Sequence, residues 1–304
     1  MTQPGAMMYD GLPAILVLGD SDAGLTDAAI TAGSVGARIS AALPLDQALE
    51  RLTEQSAIGL VVADLTSDHG ELLDLLIDRL DQAATLGRHH SVVTLPERLI
   101  DAVAARSTHS GVTLLCSRDE EQRAAAIRAA LAHRPRAQFS ESGDGSPERL
   151  QQLSEEVNRI ARTLAALSGK HAQEPREIAI GDAAPADRAV TANAIRGLIR
   201  ARRLRDQYFD PLLFADPAWD MLLDLMAARL EGRQVAVSSL CIAAAVPPTT
   251  ALRWIKSLTE EGLFLRVADP NDGRRVFIAL SDAAADGMTG YFRALDRAGL
   301  GSRG

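Results

Sequence analysis

The stretch VAVSSLCIAAAVPPTTALRWIKSLTEEGLFLRVADPNDGRRVFIAL, residues 235–280, decides how the last third of the chain folds. It divides into two short helical segments, a turn marked by prolines, and two β-like runs. Ser238 stands where it can cap the first helix, which is expected to run to about Ala245 with Leu240 and Ala244 facing inward. Val246 and Pro247 make the turn. Pro247 or Pro248 then opens the second helix, where a missing N–H removes no helical hydrogen bond. Ala251, Trp254, Ile255 and Leu258 fall at i, i+3, i+4 and i+7 and predict the buried stripe. With Pro248 at its start, the opposite face carries Thr249, Thr250, Leu252, Arg253 and Lys256. That set suits a major groove: hydroxyls for phosphates or bases, a methyl-bearing surface for thymine, and two cations.

The β-like runs FLRVA (264–268) and RRVFIAL (274–280) are joined by a turn of Asp, Pro, Asn and Gly, with Arg274 and Arg275 at its far side. Cations beside a hairpin tip can reach the minor groove or the phosphates that flank it. Helical patterns precede this stretch at 189–209 and 217–232, and a single helix follows at 282–298. The order helix, turn, helix, basic hairpin is that of an α+β winged helix-turn-helix.

These residues resemble the MarR family of transcription regulators. Asp272-Gly273-Arg274, five residues, then Leu280-Ser281 is similar to the family's wing pattern of Asp-x-Arg, five residues, Leu-Thr. Leu258-x-x-x-Gly262-Leu263 is similar to the end of the family's preceding helix. The likeness spans residues 188–298 and implies a homodimer that binds double-stranded DNA, with Asp272 holding the Arg274 that enters the minor groove. Ser281 departs from the family's Thr, and one helix stands where the family has longer dimerisation helices.

Working toward the N-terminus, residues 169–187 read as a linker, and 146–168 as a coiled-coil dimerisation helix. Leu150, Leu153, Val157, Ile160, Leu164 and Leu167 recur at spacings of 3, 4, 3, 4 and 3, which makes an a/d seam. Ser146, Pro147 and Gly169 punctuate it. A helix packed on its own domain is the other reading.

Residues 13–134 alternate between short apolar runs and amphipathic segments. The runs are AILVLGD (14–20), ARISAAL (37–43), GLVVADL (59–65), SVVTL (91–95) and VTLLCS (112–117). Helical stretches lie between them at 45–55, 71–86 and 119–134. The pattern predicts a parallel α/β sheet, buried on both faces and flavodoxin-like. It resembles a response-regulator receiver, in which Asp64, ending the third strand, maps onto the phosphoacceptor, and Asp20 onto the acids that hold Mg²⁺. No paired acid accompanies Asp20, and Cys116, Ser117 and Arg118 stand where the resemblance asks for Lys. A degenerate receiver, used for dimerisation or for a regulatory protein partner, follows from those departures.

Net charge is −8, which taken whole opposes a polyanionic partner. Split at residue 188 it reads otherwise: 16 Lys/Arg against 13 Asp/Glu in the C-terminal part, 16 against 27 before it. Mild basicity at one end permits DNA binding without requiring it. Two cysteines, Cys116 and Cys241, in different segments argue against a disulfide framework and for a reducing compartment. No basic n-region and no run of 18 apolar residues are present, so neither a signal peptide nor a membrane span is expected. His89 and His90 are neighbours on an expected loop and do not suggest a metal site, and GDSDAG (19–24) lacks the Lys of a phosphate loop. The expectation is a cytoplasmic, nucleoid-associated regulator that is not an enzyme and needs no cofactor. The alternatives are an adaptor with a winged helix diverted to protein, and a regulator switched by phosphorylation of Asp64.

Overall fold

The alternation read at 13–134 folds, over the described residues 14–54 and 58–132, into a doubly wound sheet. The computed structural model describes residues 14–54, 58–132 and 190–298. Strands β1 (Ala14–Gly19), β2 (Arg38–Pro44), β3 (Leu60–Asp64), β4 (His90–Thr94) and β5 (Val112–Leu115) are all parallel, in the order β2-β1-β3-β4-β5. Side chains alternate between the two faces of each strand. Ile15, Val17, Leu60 and Val62 therefore pack with Ala28 and Ala32 of α1 (Asp22–Ser34) and Ile127 of α5 (Glu120–Ala132). Leu16, Leu18, Val61 and Ala63 take the other face, with α2 (Leu45–Glu54), α3 (Glu71–Thr85) and α4 (Ile100–Arg106).

Two features depart from the expected pattern. The run at 37–43 forms β2, an edge strand with no buried residue, because it has a neighbour on one side only. Helices α1 and α4 were not among the anticipated segments. Helix α1 buries Gly24, Ala28, Thr31 and Ala32, small side chains that leave little apolar periodicity, and α4 spans only seven residues.

The C-terminal segment continues with α6 (Ala192–Leu204), α7 (Pro217–Leu230), β6 (Val235–Ala236), α8 (Val237–Ala243), α9 (Pro248–Glu260), β7 (Phe264–Asp269), β8 (Asp272–Leu280) and α10 (Asp282–Arg297). The three strands form a small antiparallel sheet in the order β6-β8-β7. Local chemistry sets the ends of these helices. Asp216 accepts from the Trp219 N–H with Pro217 at the first helical position of α7, and Pro248 takes that position in α9. Past the end of α9, the Leu263 N–H donates to the Leu258 carbonyl and the Gly262 N–H to that of Thr259, a Schellman ending. Gly262 has φ +75°, so glycine is the residue that ends α9 without strain. Ser281 accepts from the Ala284 N–H and caps α10, a role that either Ser or Thr fills.

Residues on both sides of 136–186 belong to one compact unit with a continuous apolar core. In it α4 packs on α8 and β8, while α9 lies against β5 and β7. The seam of Leu150, Leu153, Val157, Ile160, Leu164 and Leu167 and the linker at 169–187 fall outside the described residues. No helix among the described residues is long and apolar enough to cross a membrane.

Candidate functional site

Helix α9 is held from both ends of its sequence. Ala251, Ile255 and Leu258 are buried as their spacing predicts. Leu252, expected on the outer face, is 4% exposed, and Trp254, expected in the stripe, is 38% exposed. The reason is that α9 packs against more than one neighbour: α8 and β7 on its own side, and β5 of the α/β sheet. The buried sector is thereby turned toward Leu252 and away from Trp254. Ser238 caps nothing. Its N–H and hydroxyl donate instead to the two carboxylate oxygens of Asp101, at 2.9 and 2.6 Å, so α4 supplies the acceptor for the first turn of α8.

Three of the expected DNA contacts meet the α/β sheet and its helices. The Thr249 hydroxyl accepts the Cys116 N–H at 2.9 Å, just past β5. The Lys256 ammonium donates to the Ser107 hydroxyl (2.9 Å) and to the carbonyls of His109 (3.0 Å) and Val112 (2.5 Å). All three of its donors are used. Burial pulls that ammonium down to about 8, since no carboxylate touches it. Arg266 of β7 donates to the Ala104 carbonyl in the last turn of α4, where carbonyls lack helical partners.

The β7–β8 hairpin is held by charge. Arg274 forks onto Asp68, with Nη1 and Nη2 at 3.0 and 2.8 Å, and its Nε reaches Asp74 at 3.0 Å. The pairing raises the Arg274 guanidinium and holds the Asp68 carboxyl below its ordinary value of 3.8. Arg106 extends the network, donating to Asp74 and to Asp78. The Asp272 carboxylate accepts the backbone N–H of Arg274 at 2.9 Å, while the Arg274 guanidinium points across to α3 and the turn before it. Arg253 and Arg275 are exposed, the latter with its guanidinium 5.8 Å from the Phe277 ring centre. Pro248 and Thr250 are half-buried. Three arginines of helix α6 pair locally: Arg196 with Asp224 and Glu231, and Arg202 and Arg203 with Asp220.

A second constellation lies at the C-terminal end of β3. The Asp64 carboxylate receives Arg118 Nη2 at 2.9 Å on one oxygen and Arg123 Nη2 at 3.0 Å on the other. Asp64 and Arg123 are 1% and 2% exposed. Burial pushes the Asp64 carboxyl above its ordinary value, while the two guanidiniums oppose that rise. A Cβ on Gly24 would stand 2.6 Å from Asp64 Oδ1, so α1 closes over the carboxylate. Asp20 Oδ2 accepts from the N–H groups of Thr66 and Ser67 and contacts His69 Nε2 at 3.0 Å. Both oxygens of Asp64 are engaged by cations, and no group of three metal-binding side chains occurs among the described residues. His90 begins β4 rather than lying in a loop, and burial lowers its neighbour His89. Cys116 and Cys241 are free thiols, raised by burial to about 11 and about 12.

The sequence patterns did not single out Asp68, Asp74, Asp101, Ser107, Arg123 or Arg266. The signal that bore on them was the charge partition, with an acidic first part and a mildly basic last part. No protein-family model matches the chain, and no curated protein matches it.

Proposed function

We propose that the chain is a MarR-like transcription regulator that binds double-stranded DNA through a winged helix formed by α8, α9 and the β7–β8 hairpin. One observation carries this reading: after α8 and α9 the chain returns through β8 to pair with β6, the short strand that leads into α8, so that helix, turn, helix and basic hairpin share one core. Arg253 on α9 and Arg275 on the hairpin lie exposed on the two elements that would meet the major groove and the flanking backbone. A two-fold regulator of this kind would bind as a homodimer to a palindromic site, in the cytoplasm and on the nucleoid. The α/β sheet then serves as a regulatory domain, with Asp64 an internal anchor rather than a phosphoacceptor.

The test is retardation of pooled genomic duplex by the full chain at low salt. Arg275→Ala should weaken binding across sequences and lower the salt slope by about one. Arg253→Ala should change which fragments are retained. A second reading, a protein-binding adaptor, is favoured by the fact that Thr249, Lys256 and Arg274 already bind protein groups. It predicts binding to a partner protein that Arg253→Ala and Arg275→Ala leave unchanged, and no retardation.

A further inference from the structure

Thr249, Lys256 and Arg274 come from the two elements that a winged helix places on DNA, and all three are occupied at once by the α/β domain: Arg274 by carboxylates, Lys256 by two carbonyls and a hydroxyl, and Thr249 by a backbone N–H. Arg274 meets Asp68 in the two-pronged geometry with which a guanidinium also grips a phosphate. Asp74 takes the third N–H of the same group at 3.0 Å. Lys256 has no donor left over, and Thr249 is bound to the backbone beyond β5. With β5 packed on α9, that face of the helix cannot enter a major groove about 12 Å wide. The chain's charge is divided to suit this docking, 27 acids against 16 Lys/Arg before residue 188 and 13 against 16 from there on.

We propose that this arrangement is a closed state in which the α/β domain masks the winged helix by standing in for the DNA backbone, so that docking and DNA binding exclude each other. The proposal rests on the DNA-binding reading above. Asp68 and Asp74 act as phosphate surrogates for the wing, and the carbonyls of His109 and Val112 do the same for Lys256. Duplex affinity is then the intrinsic affinity reduced by the fraction of molecules that are open. Neutralising the surrogates raises that fraction without touching a residue that would contact DNA.

The experiment compares the full-length wild type with Asp68→Asn and with Asp68→Asn/Asp74→Asn, using mixed-sequence duplex DNA at low salt. A second readout is the alkylation rate of Cys116, half-buried beside Thr249, followed by mass spectrometry of its peptide. The expected result is retardation at concentrations at least about tenfold lower for the double variant, faster Cys116 alkylation in that variant, and faster alkylation of the wild type when duplex is added. If the variants match the wild type in both DNA affinity and alkylation, the closed-state proposal is overturned. Faster alkylation in the double variant with no retardation at any concentration would instead overturn the DNA-binding reading itself, because the open domain would have been offered DNA and refused it.

Discussion

Asp64→Ala is the perturbation whose size follows most directly from the geometry. It removes a carboxylate that is 1% exposed and leaves Arg123, 2% exposed, as a buried charge without its partner. Breaking one side of a buried pair in this way costs about 3–5 kcal/mol. Arg118 is 51% exposed and returns to water, so its share is small. For a folded unit of this size, each kcal/mol moves the thermal midpoint by about 2–4 °C, which makes a fall of about 6–20 °C. Differential scanning calorimetry of the purified chain measures it. The double replacement Asp64→Leu with Arg123→Met, which removes both charges, should recover most of the loss, because neither ion is left uncompensated. A midpoint lowered by less than about 2 °C, or a phosphoryl adduct on Asp64 after acetyl phosphate treatment, would refute the view that this carboxylate is an internal anchor.

Lys256→Met strips the Ser107 hydroxyl and the Val112 carbonyl of a donor, so urea unfolding should show a loss of about 1–3 kcal/mol, less if water enters. Gly262→Ala forces a Cβ onto φ +75° and should cost about 1–2 kcal/mol, read as a lower thermal midpoint with unchanged circular dichroism. Acid should loosen the fold in a defined direction. Arg274 holds Asp68 below 3.8; Asp20, against the cost of its burial, is held there too by the N–H groups of Thr66 and Ser67 and by His69. Carboxyls lowered in the folded state add stability that is present above 3.8 and lost as the pH falls through their own lower values. The thermal midpoint should therefore drop with acid, and the Asp68→Asn variant should lose part of that dependence.

Much of this architecture was readable because burial on both faces leaves uninterrupted apolar runs. AILVLG and LVVAD became β1 and β3 for that reason. The helix α9 and the hairpin were readable from prolines, Gly262 and the turn residues, whose backbone requirements are local. What escaped was long-range. Ser238 has the chemistry of a cap, yet a carboxylate 137 residues away, Asp101, binds it. Leu252 and Trp254 exchanged places because amphipathic spacing assumes a single packing surface, and α9 has two. Arg123 stands in an alanine-rich helix where nothing nearby in sequence announces a buried partner. Of the residues picked for DNA contact, Arg274 meets aspartates and Lys256 meets two carbonyls and a hydroxyl, because a sequence pattern names a cation without naming its partner.

That ambiguity has a measurable consequence, because the two occupants respond to salt in related ways. DNA binding weakens with salt by counterion release, in proportion to the number of phosphates neutralised. The Arg274 latch also weakens with salt, since its guanidinium and Asp68 are partly exposed, at 31% and 46%. The Lys256 contacts are to neutral acceptors and are screened much less. If docking and DNA binding exclude each other, added salt does two opposing things in the wild type: it lowers the affinity of the open form and increases the open fraction. In Asp68→Asn/Asp74→Asn only the first remains. The logarithmic plot of duplex affinity against salt should be steeper for the variant than for the wild type, and the two lines should converge as salt rises. Parallel lines would mean that the carboxylates do not compete with DNA for Arg274, whatever the difference in affinity at low salt.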